Sequence, residues 1–126
     1  MPVLGPLPRV RRRAPLESPI ERKVVKKAFE DLAVRSTKLN TRSDTGWPDR
    51  IFWLPTTPFL IEFKRPGKAP GKKQDHVHGM LRKLGYDVEW HDTFDGAMNA
   101  IVKRLRRMYH RRSLVEIVDL LTQLNA

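Results

Sequence analysis

Two short apolar runs, Ile51-Phe52-Trp53-Leu54 and Phe59-Leu60-Ile61-Glu62-Phe63, are separated only by Pro55-Thr56-Thr57-Pro58. They are too short for helices and rich in aromatic and β-branched side chains, so they read as strands. The brief turn between them makes the pair an antiparallel hairpin. Each run carries a carboxylate that a buried strand ordinarily avoids, Asp49 just before the first and Glu62 inside the second. A charge between Ile61 and Phe63 has three physical outcomes: it faces solvent, finds a counter-charge, or binds a cation. Lys64 lies two residues beyond Glu62, and period-two alternation puts both side chains on one face while Phe63 points to the other. Taken alone, Asp49 after Gly46-Trp47-Pro48 also suits a turn or strand-start cap, and Glu62 paired with Lys64 or Arg50 is an ordinary ion pair.

The rest of the chain supplies helices to cover this hairpin. Ser18-Pro19-Ile20-Glu21 is a helix start, with Ser as cap, Pro at the first helical position and Glu completing a capping box. Ile20, Val24, Ala28 and Leu32 then recur on one face, widened by Val25 and Phe29, for about four turns. The polar segment 35–45 offers a short edge strand over 37–41. Pro66-Gly67-Lys68-Ala69-Pro70-Gly71 is a basic loop. From Lys72 or Lys73 a second helix carries Val77, Met80, Leu81 and Leu84 as core positions, with Gly85 at its C-terminal end. Tyr86, Val88 and Trp90 alternate with Asp87 and Glu89 as a half-buried strand. Phe94, Ala97, Ile101, Leu105 and Met108 mark a third helix, with Lys103, Arg104, Arg106 and Arg107 on its outer side. Ser113 and Glu116 open a last one through Leu114, Ile117, Val118, Leu121 and Leu124. The expected class is α/β, one mixed central sheet flanked by helices, with an extra C-terminal helix.

Charge narrows the partners. Within 126 residues, 25 Lys and Arg face 14 Asp and Glu, a formal net charge of +11. That field attracts polyanions, nucleic acid first and an acidic membrane surface second. No stretch is long and apolar enough to span a bilayer or to form a signal-peptide core, so a soluble, non-secreted, cytoplasmic protein without a membrane partner is expected. With no cysteine in the chain, any metal must sit on oxygen or imidazole ligands. His76, His78, His91 and His110 form no imidazole cluster; they read as surface or phosphate-contacting residues. Residues 1–16, with Arg9, Arg11, Arg12 and Arg13 among prolines, form a basic arm, either lying along phosphates or simply solvated. The Arg-rich run 103–112 has the same two readings.

Hydrolysis of a phosphodiester at neutral pH needs an activated water, charge neutralisation and help for the leaving oxygen. Magnesium or manganese on a few carboxylates meets all three needs. Asp49 and Glu62 are suitable hard ligands, and Lys64 can address the water or a phosphate oxygen.

Pro48-Asp49 followed by Glu62-Phe63-Lys64 is the PD-(D/E)xK signature of a nuclease superfamily. Five ordered elements widen the match: Glu17-Ser18-Pro19-Ile20-Glu21, Gly46-Trp47-Pro48-Asp49-Arg50, Ile61-Glu62-Phe63-Lys64-Arg65-Pro66-Gly67, Gln74, and Leu84-Gly85-Tyr86-Asp87-Val88. Together they resemble a stand-alone, phage-type VRR-NUC (virus-type replication-repair nuclease) domain over about residues 17–90. The resemblance implies a restriction-endonuclease-like core over 17–112, leaving 1–16 as arm and 113–126 as a helix that either closes the core or makes a dimer contact. It implies metal binding by Asp49, Glu62 and the Phe63 carbonyl, and a further glutamate from the first helix, Glu21 with Glu17 as the alternative. Lys64 then works on water or phosphate, and Gln74 orients the lysine or contacts substrate.

On this reading Arg11, Arg12, Arg13, Arg50, Arg65, Lys68, Lys72 and Lys73 would contact nucleic acid. The implied activity is a Mg2+- or Mn2+-dependent DNA endonuclease, dimeric and selective for branched, junction or flap DNA. A non-catalytic basic nucleic-acid-binding module is the alternative. A structural protein of a ribosome or capsid explains the charge but not Glu62-Phe63-Lys64.

Overall fold

The computed structural model describes residues 18–39, 46–108 and 113–126. The basic arm with Arg11, Arg12 and Arg13, together with Glu17 and His110, lies outside them. Helix α1 (Pro19–Leu32) starts where Ser18 Oγ accepts the Glu21 N–H at 3.0 Å. Its buried stripe is Val24, Ala28 and Leu32, and Glu21, one turn earlier, lies on the same stripe. The first-turn carboxylate is therefore carried inward rather than left to close a capping box.

Strands β1 (Ser36–Lys38), β2 (Arg50–Phe52) and β3 (Phe59–Phe63) form an antiparallel meander. Its β2–β3 hairpin pairs Arg50 with Ile61, Ile51 with Leu60 and Phe52 with Phe59. The basic loop and α2 (Lys72–Lys83) cross over to β4 (Asp87–His91), which runs parallel to β3 with Glu62 opposite Trp90. A strand–helix–strand crossover returns the chain in the same direction, which makes the sheet mixed, in the order β1-β2-β3-β4. Gly85, at φ +97°, ends α2: its N–H reaches the Arg82 carbonyl at 2.9 Å and that of Tyr86 the Leu81 carbonyl at 3.0 Å. This is the double closure that a left-handed residue after a helix permits.

The two faces of the sheet differ in cover. Phe52, Phe59, Ile61 and Phe63 pack under α1, α3 (Phe94–Met108) and α4 (Leu114–Leu124), against Val24, Ala28, Ile101, Leu105 and Ile117. On the opposite face α2 is the one helix among the described residues that packs, closing a small cluster of Leu60, Leu81 and Val88. That thin cover overturns two core expectations, since Met80 is 45% and Leu84 71% exposed. Met80 lies to one side of the narrow strip that Val77 and Leu81 occupy, and Leu84, the residue after the last turn of α2, lies beyond its end. Helix α4, by contrast, buries Ile117 and Leu121 in the main core, and Asn125 after it donates to the Ala33 carbonyl at 2.9 Å.

The polar half of β4 is paired with α3 rather than left wholly to solvent. Arg104 on α3 bonds Asp87 at 2.6 and 3.0 Å and Glu89 at 2.7 Å, with its guanidinium 3.7 Å over the Phe59 ring. So one member of the supposed outer basic face is turned inward. Among the described residues no helix is long and apolar enough to cross a membrane.

Candidate active site

Asp49 stands at the start of β2, fixed on three sides. Its N–H reaches the Ile61 carbonyl at 3.0 Å, its carbonyl takes the Leu39 N–H at 2.8 Å, and its Oδ2 accepts the Phe63 N–H at 2.8 Å. Gly46 makes the approach to this position possible. At φ +100° a Cβ there would lie 3.0 Å from the Lys73 carbonyl oxygen and 3.1 Å from Val77, so only glycine lets the Gly-Trp-Pro turn lie against α2.

Glu62 lies on the α2 side of β3, the face shared with Leu60, and is 4% exposed. Its Oε2 accepts a short hydrogen bond from Gln74 Nε2 and faces Lys64 Nζ at 3.6 Å. The Gln74 amide oxygen in turn takes the Gly71 N–H at 3.1 Å, which ties the start of α2 to the carboxylate. Burial, and then the adjoining Asp49 carboxyl, push Glu62 up to about 9 against the opposing pull of Lys64. Two carboxyls this close cannot both ionise away from water, so at neutral pH the metal-free pair retains a proton.

The expected residues Asp49, Glu62, Lys64 and Gln74 thus converge. Glu21 stands apart from them. It is 1% exposed, and its carboxylate is taken by Lys38 Nζ at 3.0 and 2.8 Å and by Arg50 Nε at 2.8 Å. The reason is topological. Arg50 is paired with Ile61, whose side chain belongs to the main core, so Glu21 meets it on the α1 side of the sheet while Glu62 faces α2. Lys38 connects the two sides, at 3.9 Å from Asp49 Oδ1.

Arg50, expected at phosphates, is turned inward toward Glu21 and Ser36. Arg65, Lys68, Lys72 and Lys73 are exposed and lie on the loop and first helical turn that follow Lys64. Trp90, opposite Glu62, is 36% exposed on the same face.

Sequence reasoning missed two side chains. Lys38 sits in a polar segment with no periodicity, and only the pairing of β1 with β2 reveals it. His78, expected at the surface, is 1% exposed with neither ring nitrogen hydrogen-bonded. Its signal was available: positions 74, 78 and 81 share one helical stripe, and Leu81 is core.

Among the described residues no group of three or more His, Asp or Glu is placed to hold a metal ion. The donor set that does exist fits a divalent cation. Asp49 and Glu62 are adjoining hard oxygen ligands, each with one oxygen anchored to protein, and their mutual repulsion is what a cation relieves.

A mixed sheet flanked by helices, with the PD-(D/E)xK residues gathered on its thinly covered face, defines a nuclease-type α/β domain. Within that class the chain has the fold of a VRR-NUC domain. It is similar to a solved VRR_NUC domain structure, 26% identical with a TM-score of 0.55, the match covering 65% of this chain and 89% of that one. The resemblance read from the ordered motifs therefore holds for the fold. No family model matches the chain, and no curated protein does.

Proposed function

We propose that the chain is a divalent-metal-dependent DNA endonuclease that selects branched, junction or flap DNA. The observation that carries this reading is the adjoining pair Asp49 and Glu62, buried enough to push Glu62 up to about 9 yet lying next to an exposed basic loop. Asp49, Glu62 and the Phe63 carbonyl would hold Mg2+ or Mn2+, which supplies Lewis acidity and a water of lowered pKa when bound. Lys64 would donate to the attacking water or to a phosphate oxygen. Gln74 holds Glu62 in position, so that one carboxylate oxygen stays aimed at the site. Arg65, Lys68, Lys72 and Lys73 form a rim that steers and seats the phosphate backbone.

A homodimer would form through the outer side of α4, where Val115, Leu120 and Leu124 are exposed. Its measure is the sedimentation of Leu124→Glu against the parent chain. The activity test is cleavage of junction, flap and linear DNA with and without Mn2+. Cleavage of the branched forms that needs the metal and is abolished in Asp49→Ala and Lys64→Ala is the expected result. Undiminished cleavage by purified Asp49→Ala would sink the assignment. Salt-sensitive binding without products under any metal would favour the non-catalytic module.

A further inference from the structure

The cations around Glu21 bear on how many metal ions the site can accept. Lys38 and Arg50 lie directly opposite each other across β1 and β2. Like charges at such a position destabilise a sheet unless an anion is shared between them. Glu21 is that anion: Lys38 contacts both of its oxygens and Arg50 takes one. A carboxylate 1% exposed and saturated by two fixed cations has no charge left to offer a third. The Lys38 ammonium also lies 3.9 Å from Asp49 Oδ1. It therefore stands between Glu21 and Asp49, where an ion drawing on both carboxylates would have to sit. Paired metals in phosphodiester-cleaving sites lie about 3.5–4 Å apart and share a carboxylate-lined space. Here a side-chain ammonium already lies between Glu21 and Asp49, and an ion seated between them would have to displace it.

We propose that Lys38 is a built-in cation of the active site: clamped by Glu21 beside Asp49, its ammonium takes the place of a second divalent ion, and each chain loads a single metal. This rests on the nuclease reading above. It makes Lys38 and Glu21 positioning residues for that site and assigns Glu21 to the lysine rather than to the metal.

The test counts ions. Metal-free full-length chain is titrated with Mn2+, and the bound ion is measured by calorimetry and by loss of the free Mn2+ paramagnetic signal. One Mn2+ per chain, without the spectrum of a coupled pair, is expected for the parent chain. Two per chain overturns the proposal even if cleavage is normal. None at all overturns the metal-dependent reading beneath it, so the two failures are distinguishable.

Lys38→Met is expected to raise the count to two at saturation, and Lys38→Arg to leave it at one. Lys38→Met with Glu21→Gln should return it to one, because the second ion loses its ligand. A Lys38→Met chain that is folded by circular dichroism and still binds one ion refutes the role of the ammonium. Should that variant not fold, the parent-chain count still decides.

Discussion

Replacing Glu62 by Gln should stabilise the metal-free protein while destroying its affinity for metal. The folded protein holds Glu62 near 9, against 4.5 for a free glutamate, chiefly through burial and secondly through Asp49. Between those two values the unfolded chain releases the proton and the folded chain keeps it. The unfolded state binds fewer protons there, so stability falls as pH rises. At about 1.4 kcal/mol per pH unit, the loss accumulated from 4.5 to pH 7 is about 3 kcal/mol, and it levels off above about pH 9. The amide introduced by Glu62→Gln would not titrate, and it would still offer an oxygen to Gln74 and an N–H to Asp49.

Urea unfolding in excess chelator at pH 5, 7 and 9 measures the effect. The variant and parent should be nearly equal at pH 5 and diverge to about 3 kcal/mol in favour of the variant at pH 7. Adding Mn2+ should then raise the parent and not the variant, by about 2.7 kcal/mol at one hundred times the dissociation constant. Parallel pH dependences in chelator, or a variant less stable than the parent at pH 7, would refute the carboxyl-pair reasoning.

Other perturbations separate fold from site. Arg104→Met removes the shared partner of Asp87 and Glu89 on the α3 side of the sheet. Since both carboxylates keep partial solvent access, it should cost about 2 kcal/mol by denaturant melting, with cleavage at saturating metal retained in the folded fraction. Gly46→Ala forces a Cβ against the Lys73 carbonyl at positive φ. It should cost about 1–2 kcal/mol and, unlike Arg104→Met, also weaken Mn2+ binding, because Asp49 loses its approach. His78 is held below the usual histidine range by burial and then by Arg82. The stability this contributes is present above the unfolded value and lost as pH falls below 6.5. In a Glu62→Gln background, where the opposing titration of Glu62 is absent, His78→Leu should therefore show a shallower drop in melting temperature from pH 7 to pH 5 than the same chain with His78.

The parts of this molecule legible in its sequence are those fixed by local pattern. Alternation alone placed Glu62 and Lys64 on one face and Phe63 on the other. The Pro-Thr-Thr-Pro break gave the hairpin, Ser18 and Ser113 gave the starts of α1 and α4, and Gly85 gave the end of α2. Core membership on α2 was less legible. Periodicity identifies an apolar stripe but not how wide a surface awaits it, and among the described residues a single helix covers this face of the sheet. Met80 and Leu84 are consequently left outside, while His78, which no hydropathy scale would choose, is inside.

The least legible contacts are those made by charges across elements. Nothing local distinguishes Lys38 from its solvated neighbours, and Arg50 reads as a phosphate ligand because its neighbour Asp49 belongs to the motif. Their inward positions follow from one fact about α1: Glu21 sits on the Val24–Ala28 stripe, so burying that stripe also buries a carboxylate. A buried charge must be met, and the strand positions facing it must supply cations. The presence of Lys38 and Arg50 opposite each other follows from that need. The same requirement on the α2 side is met less fully: among the described residues Glu62 is given Lys64 and Gln74, and Asp49 the Phe63 N–H and, at 3.9 Å, an ammonium already clamped by Glu21. One carboxylate is satisfied within the protein and two are left short of positive charge, and that asymmetry is why the proposed metal ion is assigned to the α2 face rather than the α1 face.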